Sequence, residues 1–181
     1  GGHSSTPPRQ RAVGILAAAL TALEREPLPA QVGGTFESMA RHLAPEVGFA
    51  QRLAFANLWL VGPLIPLRSR DVPILDAMIR TTTAATIVKG GVKANVLPRE
   101  AEAIVNFRIL PGDTIESVLE HVRRTVDDER VAVEIASTDG GQQPSPVSPD
   151  TGPAFGGIER AVRAVYPEAA AAPYLVVGGT D

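Results

Sequence analysis

The stretch from Gly90 to Thr114, GGVKANVLPREAEAIVNFRILPGDT, decides the fold. Glu102 to Leu110 alternates cleanly. Ala103, Val105, Phe107 and Ile109 point one way, and Glu102, Ile104, Asn106 and Arg108 the other. That period of two describes a strand with one buried face. Pro111-Gly112 makes a turn. Asp113-Thr114-Ile115-Glu116 has the form of a capping box with Asp113 in the cap position. The helix behind it carries Ile115, Val118, Leu119, Val122 and Val126 on one stripe.

Upstream, Thr81 to Val88 is rich in β-branched residues and reads as a second strand, closed by Gly90-Gly91. Near the start, Thr6-Pro7-Pro8 has the pattern of a helix start with Thr6 as its cap. Ala12, Ile15, Leu16, Ala19, Leu20 and Leu23 follow at helical spacing, and Glu26-Pro27-Leu28-Pro29 ends that helix. Downstream, Val131, Val133 and Ile135 alternate as a third strand. The order helix, strand, strand, helix, strand predicts an α+β fold. It is that of a ferredoxin-like antiparallel sheet with helices on one face, lacking its first strand.

Residues 30–80 interrupt this pattern with a helical insertion. Thr35 is placed to cap a short helix with Phe36, Met39, Ala40 and Leu43 on one side, and Pro45 breaks it. Phe49 to Leu60 reads as a second apolar helix, with Trp59 placed in a core or interface. Asp71-Val72-Pro73 starts a third, carrying Ile74, Leu75, Met78 and Ile79. Residues 137–152 are rich in Ser, Pro, Gly and Gln and read as a linker. Phe155, Ile158, Val162 and Val165 then mark a helix. Tyr174 to Val177 marks a short buried-type strand leading into Gly178-Gly179-Thr180-Asp181. That pair belongs to an α/β layer. The expected division is therefore 1–140, including the insertion, and 141–181.

Apolar content of 44% suits a chain of 181 residues with a real core. A net charge of −3, without a Lys/Arg block, argues against a nucleic-acid surface. The absence of cysteine excludes disulfides and thiolate zinc sites. Leu53 to Leu67 is apolar but too short and too interrupted to span a membrane. No signal peptide is visible, and the opening Gly1-Gly2-His3 has the character of an internal cut.

Few residues suggest chemistry. His3, between two glycines and two serines, is either a mobile surface residue or a donor held by a tight turn. Ser4 and Ser5 do not make a Ser-His nucleophile, because adjacent residues lack triad geometry. His42 and His121 are expected to be solvated. Asn95 is either a turn former or a ligand contact. Arg108 is either a salt-bridged surface residue or a carboxylate clamp, since guanidinium binds that group bidentately. Lys93 reads as surface charge. No element carries His or carboxylate residues at metal-ligand spacing.

GGHSS, IRTTTAATIVKGGVKANVLP, AIVNFRILPGDT and PYLVVGGTD, in this order, resemble the co-catalytic zinc carboxypeptidase and aminoacylase family. NLWLVGPLI followed by the Thr triplet is similar to its carboxypeptidase S, Gly-X carboxypeptidase and N-fatty-acyl amino acid hydrolase branch. The resemblance implies a lid and dimerisation domain, then the start of the return into a catalytic domain. It implies a homodimer, two zinc ions held elsewhere in the parent protein and none in this chain. The substrate would be a small peptide or an N-acyl amino acid. By the same resemblance His3 steadies the oxygen of the tetrahedral intermediate in the neighbouring subunit. Asn95 lies near the substrate, Arg108 binds its free carboxylate, and Gly179 and Thr180 line the pocket. Alone, the chain would be inactive. The alternative from pattern is a free-standing ferredoxin-like module that dimerises and binds a small ligand.

Overall fold

The computed structural model describes residues 2–136 and 141–178. In chain order the elements are β1 (Gly2–His3), α1 (Ala12–Arg25), α2 (Gly34–Leu43), α3 (Phe49–Ala56), α4 (Leu58–Val61), α5 (Ile65–Ser69), α6 (Pro73–Ile79), β2 (Thr82–Gly90), β3 (Val96–Leu97), β4 (Ala101–Arg108), α7 (Ile115–Val126) and α8 (Pro153–Val165). Short 3-10 turns lie at Ala44–Glu46 and Gly62–Leu64. The architecture is α+β. It falls into two compact units, Gly1–Pro29 with Thr81–Pro144 and Ala30–Arg80 with Ser145–Asp181.

In the first unit, β2 and β4 form an antiparallel hairpin from Thr82↔Arg108 to Gly90↔Ala101. A bulge between Ala85 and Ile87 inserts one residue into β2. Along β4, half-buried and exposed residues alternate as the sequence predicts. Val105 and Phe107 on its covered face, with Ile109, pack against Leu23 of α1, Leu28, and Val118 and Val122 of α7. Leu23, Leu28, Val118 and Val122 are buried. Burying each is worth about 1.5–3 kcal/mol. Two helices thus cover one face of an antiparallel pair, consistent with a ferredoxin-like domain.

Two helix starts differ from expectation. Helix α1 begins at Ala12, with extended Arg11 before it, and not at Thr6. A residue that precedes proline is driven out of the α region. Pro7 and Pro8 therefore keep Thr6 and Pro7 out of a helix, and neither is helical. Thr114, not Asp113, caps α7: Ser117 N–H donates to Thr114 Oγ1 at 3.1 Å, and Thr114 N–H donates to Ser117 Oγ at 3.0 Å. The carboxylate of Asp113 accepts instead from the hydroxyl of Thr81. Gly112 makes the preceding turn with φ 108°, a conformation that favours glycine.

Residues 131–135 are not a strand. Val131 and Val133 are half-buried, and Val133 packs on the core, so the alternation does report one-sided burial. A ladder also needs a partner, and among the described residues β4 pairs only with β2.

In the second unit, Phe36, Met78 and Ile79 form a core with Val32, Met39, Leu58, Ile65, Leu75 and Val177 around them. Helix α8 joins it: Ser38 donates to the carboxylate of Asp150, and His42 meets Phe155 edge-on at 5.1 Å. Arg80, 5% exposed, pairs with Asp76 at 2.8 Å, and Ser69 Oγ donates to the same carboxylate oxygen at 2.6 Å. The expected helix from Phe49 to Leu60 is two, because Asn57 turns its amide back onto the Leu53 carbonyl at 2.8 Å. Helix α2 follows Gly33, not a Thr35 cap. Tyr174 to Val177 forms no ladder, though Val177 packs on the core. Trp59 lies outside this core, 78% exposed.

Candidate functional site

Strand β1 pairs antiparallel with β3, placing Gly2 opposite Leu97 and His3 opposite Val96. Ser4 N–H then donates to the Asn95 carbonyl at 3.1 Å. His3 and Asn95, far apart in sequence, are thereby neighbours on one short ribbon.

The His3 ring is held by its own turn. Ser5 N–H donates to Nδ1 at 3.2 Å, and Ser5 Oγ lies 2.8 Å from the same nitrogen. A backbone N–H can only donate, so Nδ1 is the acceptor and the neutral ring carries its proton on Nε2. Nε2 is then the donor nitrogen of an exposed residue whose ring is held by its own turn. Ser5, read from the sequence only as a rejected nucleophile, instead holds the ring. Its signal was a backbone N–H two places after a histidine in a Gly/Ser turn.

The amide of Asn95 and the ammonium of Lys93 are exposed, and neither has a side-chain partner among the described residues. Arg108 ends β4 on its exposed face. It too makes no ion pair or hydrogen bond through its guanidinium among the described residues. A guanidinium free of protein partners has its full fork available to a carboxylate.

These groups are not all brought together. Arg108 lies opposite Thr82, at one end of the hairpin. The connection carrying Asn95 leaves β2 at Gly90 and enters β4 at Ala101, the other end. The steps from Ala101 to Arg108 span roughly 24 Å at about 3.4 Å per residue. One chain therefore places these groups apart, His3 with Asn95 near one end of the hairpin and Arg108 at the other.

Gly179 and Thr180 lie outside the described residues. His42 and His121 are not solvated. His42 is half-buried, with Nδ1 at 2.9 Å from the Ser38 carbonyl. His121 is buried at the end of α1. It donates from Nε2 to the Glu26 carbonyl at 2.8 Å and accepts from Arg124 at Nδ1, 3.1 Å. Of these bonds, the one from His121 to Glu26 reaches a partner that a helical wheel does not show. Among the described residues no cluster of three or more His, Asp or Glu could hold a metal ion. No helix among them is long and apolar enough to cross a membrane.

Comparison with known proteins gives this geometry a context. Residues 1–145 match the model of the peptidase dimerisation domain. The human N-fatty-acyl-amino acid synthase/hydrolase PM20D1 is 44% identical over 99% of this chain, which covers 36% of that protein. The probable carboxypeptidase S-like 2 of Dictyostelium discoideum is 39% identical over all of this chain, covering 34% of its own length. Carboxypeptidase S of Saccharomyces cerevisiae is 31% identical over 66% of this chain and 22% of its own. The chain spans about a third of the length of the first two relatives. No solved structure matches.

Proposed function

The chain belongs to the peptidase dimerisation domain family, and from that premise we propose that it is the dimerisation and lid domain of a hydrolase acting on N-acyl amino acids or on the C-terminal residue of peptides. The observation that carries the reading is the division of the polar groups between the two ends of the β2–β4 hairpin. A substrate with an amide and a free carboxylate is small, and two half-sites separated by most of a strand cannot both grip one molecule. Each half-site instead serves a different active site of a homodimer. His3 and Asn95 reach across to the partner's substrate, and Arg108 serves the other site.

In this reading Nε2–H of His3 donates to the oxyanion that forms at the amide carbonyl. A preorganised donor of this kind is worth about 3–4 kcal/mol in the transition state. Ser5 acts by holding the ring, so the donor needs no reorganisation when charge develops. Arg108 clamps the substrate's carboxylate and fixes its register. The two zinc ions that the proposal requires belong to parts of the parent protein outside this chain, where they would polarise the carbonyl.

The experiment is complementation in the full-length parent. His3→Ala and Arg108→Ala are each prepared, then co-expressed so that mixed dimers form. The mixed dimer carries one site with both groups intact. Random pairing restores about a quarter of wild-type activity, since half the dimers are mixed and each has one good site. Failure of two separately inactive variants to restore one another would show that both groups act within a single site. Full activity of both variants would remove the proposal altogether.

A further inference from the structure

The chain passes between its two units three times, at Pro29–Ala30, Arg80–Thr81 and Pro144–Ser145. The first two passages are tied together, because Gln31 N–H donates to the Ile79 carbonyl at 2.6 Å. The third is built differently. Residues 141–149 carry no helix, strand, turn or bend. Side chains hold this segment at both ends.

At the first-unit end, Gln143 grips the start of α7. Its Oε1 accepts the Ile115 N–H at 3.1 Å, and its Nε2 donates to the Glu116 carboxylate at 3.2 Å. The Ile115 N–H is one of the helix-end donors that find no partner within α7. Gly141, with φ 81°, brings the segment against the same turn: a Cβ added there would lie 3.4 Å from Cδ1 of Ile115. At the second-unit end, the Asp150 carboxylate accepts from the hydroxyl of Ser38, a buried residue of α2.

Between these clamps runs Pro144-Ser145-Pro146-Val147-Ser148-Pro149. Each proline fixes its own φ, and each drives the residue before it out of the α region. Ser145 and Ser148 are therefore restricted along with the three prolines, and Val147 alone keeps ordinary freedom. The segment contains no glycine. Such a composition makes an extended, semi-rigid spacer and not a flexible coil. From Pro144 to Asp150 it reaches roughly 19 Å at about 3.1 Å per residue.

We infer that residues 144–149 form a semi-rigid strut, clamped by Gln143 on α7 and by Asp150 on α2, which fixes the span of the third connection between the units. The strut stands on these contacts and on the proline spacing. Only its use, limiting the travel of a lid, rests on the proposed function.

The chain has no cysteine, so Gln142→Cys and Thr151→Cys supply the sole sites for spin labels. Distances between the labels are measured in the full chain by double electron–electron resonance. A single narrow distribution is expected. Replacing Pro144, Pro146 and Pro149 together by glycine should broaden it about twofold. Gln143→Glu sets two carboxylates against each other at one clamp, and Asp150→Ala removes the acceptor at the other. Each should broaden the distribution. Adding Glu116→Gln to Gln143→Glu restores a donor opposite the new carboxylate and should recover the narrow width, a rescue that an unfolded variant would not show. The inference is overturned if the triple glycine variant leaves the width unchanged, or if either clamp variant does. It is also overturned if Glu116→Gln fails to reverse Gln143→Glu. A parent that hydrolyses nothing would sink the proposed function without altering this distance.

Discussion

Thr81 and Asp113 are joined side chain to side chain across the base of the β2–β4 hairpin: the hydroxyl of Thr81 donates to the Asp113 carboxylate. The same oxygen accepts the backbone N–H of Leu110 at 2.9 Å, and Thr81 is 1% exposed. One hydroxyl therefore closes the start of β2 onto the turn that leads into α7. Thr81→Val keeps the shape but leaves the buried Leu110 N–H without its acceptor. The expected loss is about 1–3 kcal/mol. Thr81→Ser keeps the hydroxyl and should lose less than half of that. Chemical denaturation of the isolated chain measures both, and equal effects would contradict the hydrogen-bond account.

The reciprocal bonds of Thr114 and Ser117 make α7 the best-capped helix of the first unit. Thr114→Ala removes one of them, at a cost of about 1 kcal/mol. Asp113→Ala, by contrast, acts through Thr81 and not through the cap. A double-mutant cycle of Thr114→Ala with Asp113→Ala should therefore be close to additive. A coupling energy above about 0.5 kcal/mol would indicate a shared cap.

Asp128 gives the chain an acid-dependent contact. Arg130 donates to its carboxylate from the side chain at 2.8 and 2.5 Å and from the backbone at 3.0 Å. These bonds hold the carboxyl below its usual 3.8, at about 2. A depressed folded-state value contributes stability above pH 3.8 that is lost as pH falls through about 2. Asp128→Asn should flatten the stability profile across that window and leave its shape above it unchanged. An unchanged acid limb would mean that the pair does not persist in solution.

His3 separates donor chemistry from mere bulk. In the full-length parent, His3→Ala should lower kcat by about 10²–10³-fold, the usual effect of removing an oxyanion donor. His3→Gln retains an N–H at similar reach and should recover part of that loss. Equal kcat for the two variants would assign the residue to packing. Ser5→Pro deletes the N–H that fixes the ring, so it should lower kcat without abolishing dimerisation, read by light scattering.

Much of this was legible in the sequence because it is local. The alternation of Glu102 to Arg108, the α7 stripe and the Pro111-Gly112 turn each state their structure within a few residues. Two misses have a different cause. Asp113 was drawn from the cap by Thr81, and His121 was buried against the carbonyl of Glu26 at the end of α1. In both the deciding partner is distant in sequence, where no periodicity registers it. The same holds for the site. The residue types of His3, Asn95 and Arg108 were readable, but their separation depends on which end of a hairpin each occupies.

The bulge in β2 bears on that separation. It places an extra residue between Ala85 and Ile87, and yet Lys89 still meets Glu102 at 2.8 Å beyond it. The irregularity is absorbed within β2, while β4 runs unbroken from Ala101 to Arg108. In the proposed dimer, β4 thus sets the spacing between the two ends. Adding two residues to it would move the half-sites apart by roughly 7 Å with every functional group still present, so spacing would be lost while composition was kept.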